Sequence, residues 1–155
     1  TPLYSSAASD VYKRQAEKAR EGVKHGAYVL VDCEGTPDVI IMATGSEVQW
    51  AVAGAKTLAA EGIKARVLSM PSLEWFEEQD EEYKEAILPK SVKARVSIEA
   101  GLALPWYKYL GDCGKAVSIE QYGLQGDGGQ NMIDLGITAE HVVEAAKASI
   151  EEARA

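Results

Sequence analysis

The stretch VIIMATGSEVQWAVAGAKTLAAEGIKARVLSM, residues 39–70, decides the fold. It opens on VIIMA at 39–43, a continuous apolar run that is typical of a strand buried on both faces of a parallel sheet. It closes on ARVLSM at 65–70, a second strand that ends at Pro71. A helical segment joins the two runs, and a strand-helix-strand unit of this length predicts a right-handed parallel crossover. Residues 39–43 are therefore expected at the centre of the sheet.

The segment between the two strands carries the signals of an amphipathic helix. Ser46 is a preferred N-cap residue, and Gln49 three positions later completes a capping-box pattern. Gly62 is the residue type found most often just past a helix C-terminus. The apolar positions recur at helical spacing and predict one buried stripe: Val48, Ala51, Val52, Ala55, Leu58 and Ala59.

An acidic segment comes after the second strand. Residues 74–85 hold seven acidic side chains and one lysine, and Trp75, Phe76 and Tyr83 lie among them. We interpret this segment as a solvated helical face whose aromatic side chains turn inward. An acidic docking surface is the alternative interpretation of the same charges.

Strands and helices continue to alternate along the rest of the chain. The further elements are predicted as strands at 27–32, 94–98 and 116–119, a short helix around Pro105, Trp106 and Tyr107, and a last helix capped by Thr138 that buries Val142, Ala145, Ala146, Ser149 and Ile150. This alternation predicts an α/β fold, a mostly parallel five-stranded sheet with helices on both faces.

Composition and charge exclude several classes of function. The 155 residues are 46% hydrophobic and 26% charged, which is typical of one soluble domain. The formal net charge of −8 repels a phosphate backbone, so we expect no nucleic-acid partner. No apolar run approaches the roughly 20 residues of a membrane helix, and no signal-peptide pattern opens the chain, so we expect a cytoplasmic protein without a membrane partner. Cys33 and Cys113 lack the spacing of a disulfide framework or a zinc site and are expected to be reduced packing residues.

The first residues of the chain differ in character from the sequence after Gln15. Residues 1–15, TPLYSSAASDVYKRQ, are predicted to be a non-native or disordered leader. The run DVYKRQ at 10–15 is similar to a translated sequencing-adapter end, in which case the chain is a fragment. A disordered native tail is the alternative. Residues 16–36 are predicted to be a linker and first strand from a preceding domain, and residues 37–155 the α/β domain itself.

Candidate site residues are expected beyond the carboxyl ends of the strands, where open parallel sheets bind their ligands. Thr44, Gly45 and Ser46 leave a strand and enter a helix N-terminus, a geometry that can bind an anion through exposed amides. The same residues also suit a simple turn and cap. Glu99 and Glu120 each follow a VSI strand and form a second hypothesis, a general acid/base pair. The alternative is that these carboxylates accept hydrogen bonds from nearby backbone amides.

Two further features lack the pattern that catalysis needs. The loop YGLQGDGGQ at 122–130 has neither the GK[ST] ending of a P-loop nor the glycine order of a dinucleotide fingerprint. His25 and His141 are too few and too separated in sequence for a metal cluster or a Ser-His relay. We therefore predict no catalytic, cofactor-binding or metal-binding residue in this chain.

From about Gly26 onward, four motifs succeed one another in a specific order. They are ATGSEV at 43–48, ARVLSMPS at 65–72, QDEEYKEAILP at 79–89 and VSIEAG at 96–101. In order and spacing the chain resembles the C-terminal domain of bacterial transketolases over roughly four-fifths of its length.

The resemblance implies a transferase of the pentose phosphate pathway and the related carbon-fixation cycle, which moves a two-carbon ketol unit between sugar phosphates. It implies that thiamine diphosphate and a divalent metal, Mg or Ca, are bound by other domains at a homodimer interface. This chain is then a structural, dimer-supporting domain that binds no cofactor, is inactive alone and has the upstream transketolase domains as partners.

One segment departs from the family pattern. Tyr122–Gly136 reads YGLQGDGGQNMIDLG where the family has a segment like FGxSAPxxxLFxxFG. Met132, Ile133 and Leu135 are expected to fill the core space differently, because lost core side chains are costly unless the site repacks. A frame error and real divergence both explain the difference.

Three alternatives stay open. The first is a stand-alone regulatory module that binds a small anion at Thr44–Ser46. The others are C-terminal domains of different thiamine-diphosphate enzymes, the 2-oxo-acid dehydrogenases and the 1-deoxyxylulose-phosphate synthases. The QDEEYKEAILP segment and PWYKYLG at 105–111 favour transketolase among these enzymes.

Overall fold

The sheet has five strands in the part of the chain that the computed structural model describes, which is residue 13 and residues 16–99, 104–118 and 139–155. The strands are β1 (Tyr28–Val31), β2 (Val39–Ala43), β3 (Ala65–Ser69), β4 (Arg95–Glu99) and β5 (Lys115–Ser118). Their spatial order is β1-β3-β2-β4-β5. β1 pairs antiparallel with β3, and the other three pairings are parallel. The predicted mostly parallel five-stranded sheet is confirmed.

Helices cover both faces of this sheet. The helices are α1 (16–24), α2 (Val48–Ala60), α3 (Leu73–Glu77), α4 (Glu81–Ile87), α5 (Tyr107–Leu110) and α6 (Ala139–Arg154), with 3-10 turns at Gly45–Glu47 and Leu104–Trp106. α2 and α6 pack on one face, and α3, α4 and α5 pack on the other. Thr138, the predicted cap of α6, lies outside the described residues. None of the described helices has the length and apolar character needed to cross a bilayer.

β2 lies at the centre of the sheet, as predicted. All five of its residues are fully buried. Because side chains alternate along a strand, Ile41 contributes to the core under α2 and α6, whereas Ile40 and Met42 contribute to the core under α3, α4 and α5. The continuous apolar run therefore reflects two cores that share one strand.

The predicted capping box of α2 is wrong. Ser46 lies inside the 3-10 turn Gly45–Glu47, and α2 begins only at Val48. The residue at the N-cap position is Glu47, whose side chain makes no capping hydrogen bond. The 3-10 turn already provides a partner for the Val48 N–H, the Gly45 carbonyl. This N–H therefore needs no side-chain cap.

The other end of α2 agrees better with the prediction. Gly62 follows the helix with a φ of 80°, a left-handed conformation that favours glycine. Ala51, Ala55 and Leu58 are buried as expected. Ala59 is exposed, so the buried stripe is narrower than the apolar spacing indicated.

The acidic segment forms two short helices rather than one. Ser72 caps α3 by accepting from the Trp75 N–H, and Asp80 caps α4 by accepting from the Tyr83 N–H. Phe76 is buried, but Trp75 is 49% exposed, so the prediction that the aromatic side chains turn inward is wrong for Trp75. Trp75 and Phe76 are consecutive residues of α3, about 100° apart around the helix axis, so the two side chains cannot both face the sheet.

Two arginines near the amino ends of the strands donate hydrogen bonds to backbone carbonyls of neighbouring segments. Arg66 of β3 donates to the carbonyls of Ala86 and Ile87 at the end of α4, both at 3.1 Å. Arg95 of β4 donates to three carbonyls, those of Val92 at 3.0 Å, Tyr109 at 2.7 Å and Pro89 at 3.0 Å. Helix-end carbonyls lack partners within the helix, so these guanidinium groups tie the helices to the sheet.

Ser149 of α6 makes a similar link on the opposite face. Its hydroxyl accepts from the Arg95 N–H at 2.9 Å and donates to the Cys113 carbonyl at 2.6 Å. Ser97 of β4 is also fully buried, but its hydroxyl has no hydrogen-bond partner among the described residues. The two serines thus share their burial and differ in their hydrogen bonds.

Glu77 joins α3 to α5. Its carboxylate accepts from Lys108 Nζ at 2.5 Å and from Tyr109 Oη at 2.6 Å. These two hydrogen bonds hold the pKa of Glu77 below its usual value. Burial, and then the bond to Glu77, raises the pKa of Tyr109, so the phenol remains a donor at neutral pH.

We expect Ser149→Ala to be destabilising and Ser97→Ala not to be. Ser149→Ala leaves a part-buried N–H and a part-buried carbonyl without the Ser149 hydroxyl, so it should lower the free energy of unfolding by about 1–2 kcal/mol. Ser97→Ala removes a hydroxyl that is already unsatisfied, so it should change stability by less than about 0.5 kcal/mol or raise it. Urea unfolding of both variants measures the difference, and equal losses would contradict this assignment.

Gly26 and Gly62 form a second matched pair. Both have positive φ, 81° and 80°. A Cβ on Gly26 would lie 2.3 Å from the Ser72 carbonyl oxygen, whereas a Cβ on Gly62 would meet no atom of the described residues within 4 Å. Gly62→Ala should cost only the backbone strain, about 1 kcal/mol, and Gly26→Ala about 2–4 kcal/mol because backbone must move as well. Thermal unfolding should rank the two variants in that order; the reverse ranking would argue against close packing at Gly26.

Glu77→Gln should make the free energy of unfolding less dependent on pH in the acid range. Because the folded pKa of Glu77 is lowered, its bonds stabilise the fold above the unfolded value near 4.5, and this stabilisation is lost as pH falls through the folded pKa. Stability measured by urea unfolding between pH 3 and 7 should therefore depend less on pH in this variant. Glu78→Gln is the control, since Glu78 is exposed and makes no ion pair in the described part of the chain. If Glu77→Gln left the pH dependence of stability unchanged, the bonds of Glu77 to Lys108 and Tyr109 would not contribute to stability as inferred.

Candidate functional site

The carboxyl ends of β2, β3 and β4 point to the same edge of the sheet because these strands are parallel. Open sheets of this kind bind ligands at that edge. The structure describes residues 44–47 after β2 and 70–72 after β3. Residues 100–103 and 119–138, which come after β4 and β5, lie outside the described residues.

The predicted anion site lies at this edge. Thr44 is extended, and Gly45 turns the chain with a φ of 60° into the 3-10 turn. The carboxyl group of Glu47 is buried beside the turn, with Oε2 3.4 Å from where a Cβ on Gly45 would lie. An anion that entered here would meet this acidic group. The side chain of Ser46 is outside the described residues, and the Thr44–Ser46 anion site stays a prediction.

The predicted carboxylate pair falls mostly outside the described residues. The backbone of Glu99 ends β4 opposite Ser118 of β5. The side chain of Glu99 and all of Glu120 lie outside them, as do the glycine-rich loop at 122–130 and the segment with Met132, Ile133 and Leu135. The hypothesis of a general acid/base pair therefore stays a prediction.

The two histidines lie on opposite faces of the sheet. His25 Nδ1 is 2.8 Å from Gln79 Oε1, and its ring lies 4.6 Å from that of Tyr83, centroid to centroid. Tyr83 Oη in turn donates to the Ala27 carbonyl at 2.6 Å. His141 is exposed on α6, the helix that packs against the other core. His25 thus contributes to packing between the start of the domain and the α3–α4 segment, and the structure does not bring the histidines together.

Both cysteines are free thiols. Burial, and then the nearby Asp32 carboxylate, raises the pKa of Cys33, which keeps the thiol protonated and a poor nucleophile at neutral pH. Cys33 is at the end of β1 and Cys113 is in the turn before β5. In the described ranges, no three His, Cys, Asp or Glu side chains come together in a way that could hold a metal ion.

Several cavities lie along the amino-end edge of the sheet, where the sequence interpretation placed no site. One, of about 480 Å³, has an apolar floor of Ile63 and Ile150. Its charged rim is largely paired, because Lys147 contacts Glu61 at 2.8 Å and Arg154 contacts Asp38 at 3.9 Å.

The second cavity, of about 300 Å³, is termed the basic groove. Its described lining residues are Lys90, Lys93, Arg95, Leu110, Gly111, Asp112 and Cys113. The sequence interpretation missed it, although KSVKAR at 90–95 places three basic residues within six positions of an acidic chain. That cluster was the available signal, and the second half of the groove comes from a turn some 20 residues further on.

Comparison with known families and relatives gives a consistent result. The profile described as the transketolase-like TK C-terminal domain matches residues 26–138. The transketolase of Mycobacterium tuberculosis H37Rv is 51% identical over 136 residues, which cover 84% of this chain and 19% of the relative. Transketolase 1 of Escherichia coli K12 is 44% identical over 147 residues, covering 95% of this chain and 22% of the relative.

Solved structures show the same similarity in three dimensions. The transketolase from Leishmania mexicana superimposes with a TM-score of 0.78 at 38% identity, covering 85% of this chain and 19% of that one. A split gene transketolase, described as an inactive beta4 tetramer, gives a TM-score of 0.63 at 26% identity and covers 83% of this chain and 43% of that one. The chain thus spans about a fifth of the length of the full-length relatives. It belongs to the transketolase family and corresponds to the family's C-terminal domain.

Proposed function

We propose that this chain serves as an architectural, dimer-supporting domain of a transketolase, an enzyme that transfers two-carbon ketol units between sugar phosphates in the pentose phosphate pathway. The observation that carries the proposal is the family match at residues 26–138 within a chain that spans only 19–22% of its full-length relatives. The relatives found are transketolases, so the 2-oxo-acid dehydrogenase and 1-deoxyxylulose-phosphate synthase alternatives are not favoured.

The polar side chains of the described residues support an architectural role. Arg66, Arg95 and Ser149 bond to backbone groups, and Glu77 links two helices. Groups of this kind hold helices on a sheet, whereas a catalytic site needs a nucleophile, base or electrophile around one space. At the described part of the carboxyl-end edge, the Glu47 side chain is buried beside its own turn.

Thiamine diphosphate and a divalent metal, Mg or Ca, do not fit the described residues. A metal-diphosphate site needs several oxygen ligands around one point, and the described acidic side chains form no such group. Several of these acids instead pair with lysine or arginine, as Asp32 does with Arg66 and Glu152 with Lys115. We therefore assign the cofactor and the metal to the other domains of a complete transketolase.

The proposed partners are the upstream transketolase domains and a second subunit, in a cytoplasmic homodimer. The split gene relative, described as an inactive tetramer, is consistent with a requirement for another part of the enzyme. Within this chain we propose the boundaries inferred from the sequence, with residues 1–15 a leader, 16–36 a linker and first strand, and 37–155 the C-terminal domain. Anion binding at Thr44, Gly45 and Ser46 is retained as a secondary proposal for regulation.

The isolated chain should show no ketol transfer with xylulose 5-phosphate and ribose 5-phosphate in the presence of thiamine diphosphate and magnesium. A hybrid in which residues 26–155 replace the matching part of the M. tuberculosis transketolase should dimerise and retain activity within about tenfold of the parent enzyme, because most core contacts of the domain are internal. A coupled spectrophotometric assay measures turnover, and sedimentation measures the dimer.

The parent M. tuberculosis enzyme and the same enzyme truncated before the exchanged part are the controls. Measurable turnover by the isolated chain would overturn the architectural assignment. A hybrid that folds and dimerises but has lost turnover would show that this domain supplies more than support.

A further inference from the structure

The basic groove combines a cavity with an unusual local charge. The chain as a whole carries a formal net charge of −8. Around this cavity, however, three described lining residues are basic and one, Asp112, is acidic. The lining of the groove is thus net positive on a negative protein, and Glu77, Glu81 and Glu85 line the adjoining cavity that shares Lys90 and Arg95. A net positive lining favours an anion that the rest of the surface repels.

Arg95 is the fixed element of the groove. Its three hydrogen bonds to backbone carbonyls hold the guanidinium in place, and they use three of the five N–H donors that an arginine carries. No carboxylate lies within ion-pair distance of Arg95 among the described residues, so carbonyl dipoles balance its charge at close range and Glu85 acts on it only from further away. A preorganised guanidinium with spare donors binds a planar or tetrahedral oxyanion with little loss of side-chain entropy.

The two lysines add charge that is free to move. Lys93 is exposed and makes no ion pair in the described part of the chain. Lys90 contacts Glu81 at 3.7 Å, but both side chains are more than three-quarters exposed, so this pair contributes little. Both ammonium groups can therefore turn toward a ligand held by Arg95. The 480 Å³ cavity is less positive, since Asp38 and Glu151 line it beside Lys147 and Arg154, and Lys147 contacts Glu61 at 2.8 Å.

We propose that the basic groove binds a small phosphate monoester. A dianionic phosphate matches one fixed guanidinium and two mobile ammonium groups better than a monocarboxylate does. The volume of about 300 Å³, with Leu110 and the aliphatic parts of the lysines in its wall, leaves room for an organic group of a few carbon atoms. The inference does not depend on ketol transfer, because the groove is formed by this chain alone.

Titration of the ¹⁵N-labelled 155-residue chain tests the proposal. The probes are inorganic phosphate and the monoester glycerol 3-phosphate, with sodium chloride at matched ionic strength as the reference. We expect saturable shifts of the Gly111 and Asp112 amides and of the Arg95 Nε–H signal, and tighter binding of the monoester. Shifts that sodium chloride reproduces, or that do not saturate, would overturn the proposal, since they would reflect general screening.

Charge variants provide the matched comparison. The double variant Lys90→Gln/Lys93→Gln should bind the monoester about tenfold more weakly, as expected when two partly solvated charge contacts are removed. Lys56→Gln, on the exposed side of α2 and without an ion pair in the described residues, should leave the affinity unchanged. Asp112→Asn should strengthen binding about threefold by removing the acidic group, a gain that a misfolded variant could not imitate. Equal weakening by the Lys56 and Lys90/Lys93 variants, or no gain from Asp112→Asn, would refute the site.

Discussion

The double burial of β2 is the constraint on which the rest of the structure depends. VIIMA at 39–43 has no solvent-exposed residue, so both of its faces must be covered and both of its edges must be paired. β3 and β4 supply the edges, each in parallel register. α2 and α6 cover one face, and α3, α4 and α5 cover the other. Parallel pairing requires crossover connections, so α2, α3, α4 and α5 both cover β2 and link consecutive strands, whereas α6 comes after β5.

Covering both faces leaves helix ends and strand starts with unpaired backbone groups, and a few polar side chains satisfy them. Arg66 binds carbonyls at the end of α4, and Arg95 binds one carbonyl of α5 and two of the loop before β4. Ser149 joins α6 to the first residue of β4 and to the turn before β5. These contacts gather at the amino-end edge of the sheet. That concentration gives the edge a rigid framework, and the basic groove is a consequence of it, because the groove's fixed cation is one of the structural arginines.

A domain built in this way can support an enzyme without containing its chemistry. The match to transketolases covers most of this chain and about a fifth of theirs, so most of a complete enzyme lies elsewhere. Many of the described polar groups bind backbone or one another, which fixes the shape of the domain. A stable shape is the contribution of a supporting domain to its neighbours, and it leaves the surface open to a separate role such as anion binding.

The sequence by itself determined the fold class, the central position of residues 39–43, the parallel crossover to 65–70, the covering of both faces and the family. These features are predictable because the spacing of apolar residues along a short segment indicates whether it is a strand or a helix and which of its faces is buried. It did not place the start of α2, which a 3-10 turn delayed to Val48, or the outward direction of Trp75, which follows from its position next to the buried Phe76 in one helix. The basic groove and the bridge of Ser149 to Arg95, 54 positions apart, were decided only by the tertiary structure. Such contacts join residues that are distant in the chain. The spacing of apolar residues within one segment does not indicate which distant residues the packing of the sheet brings together.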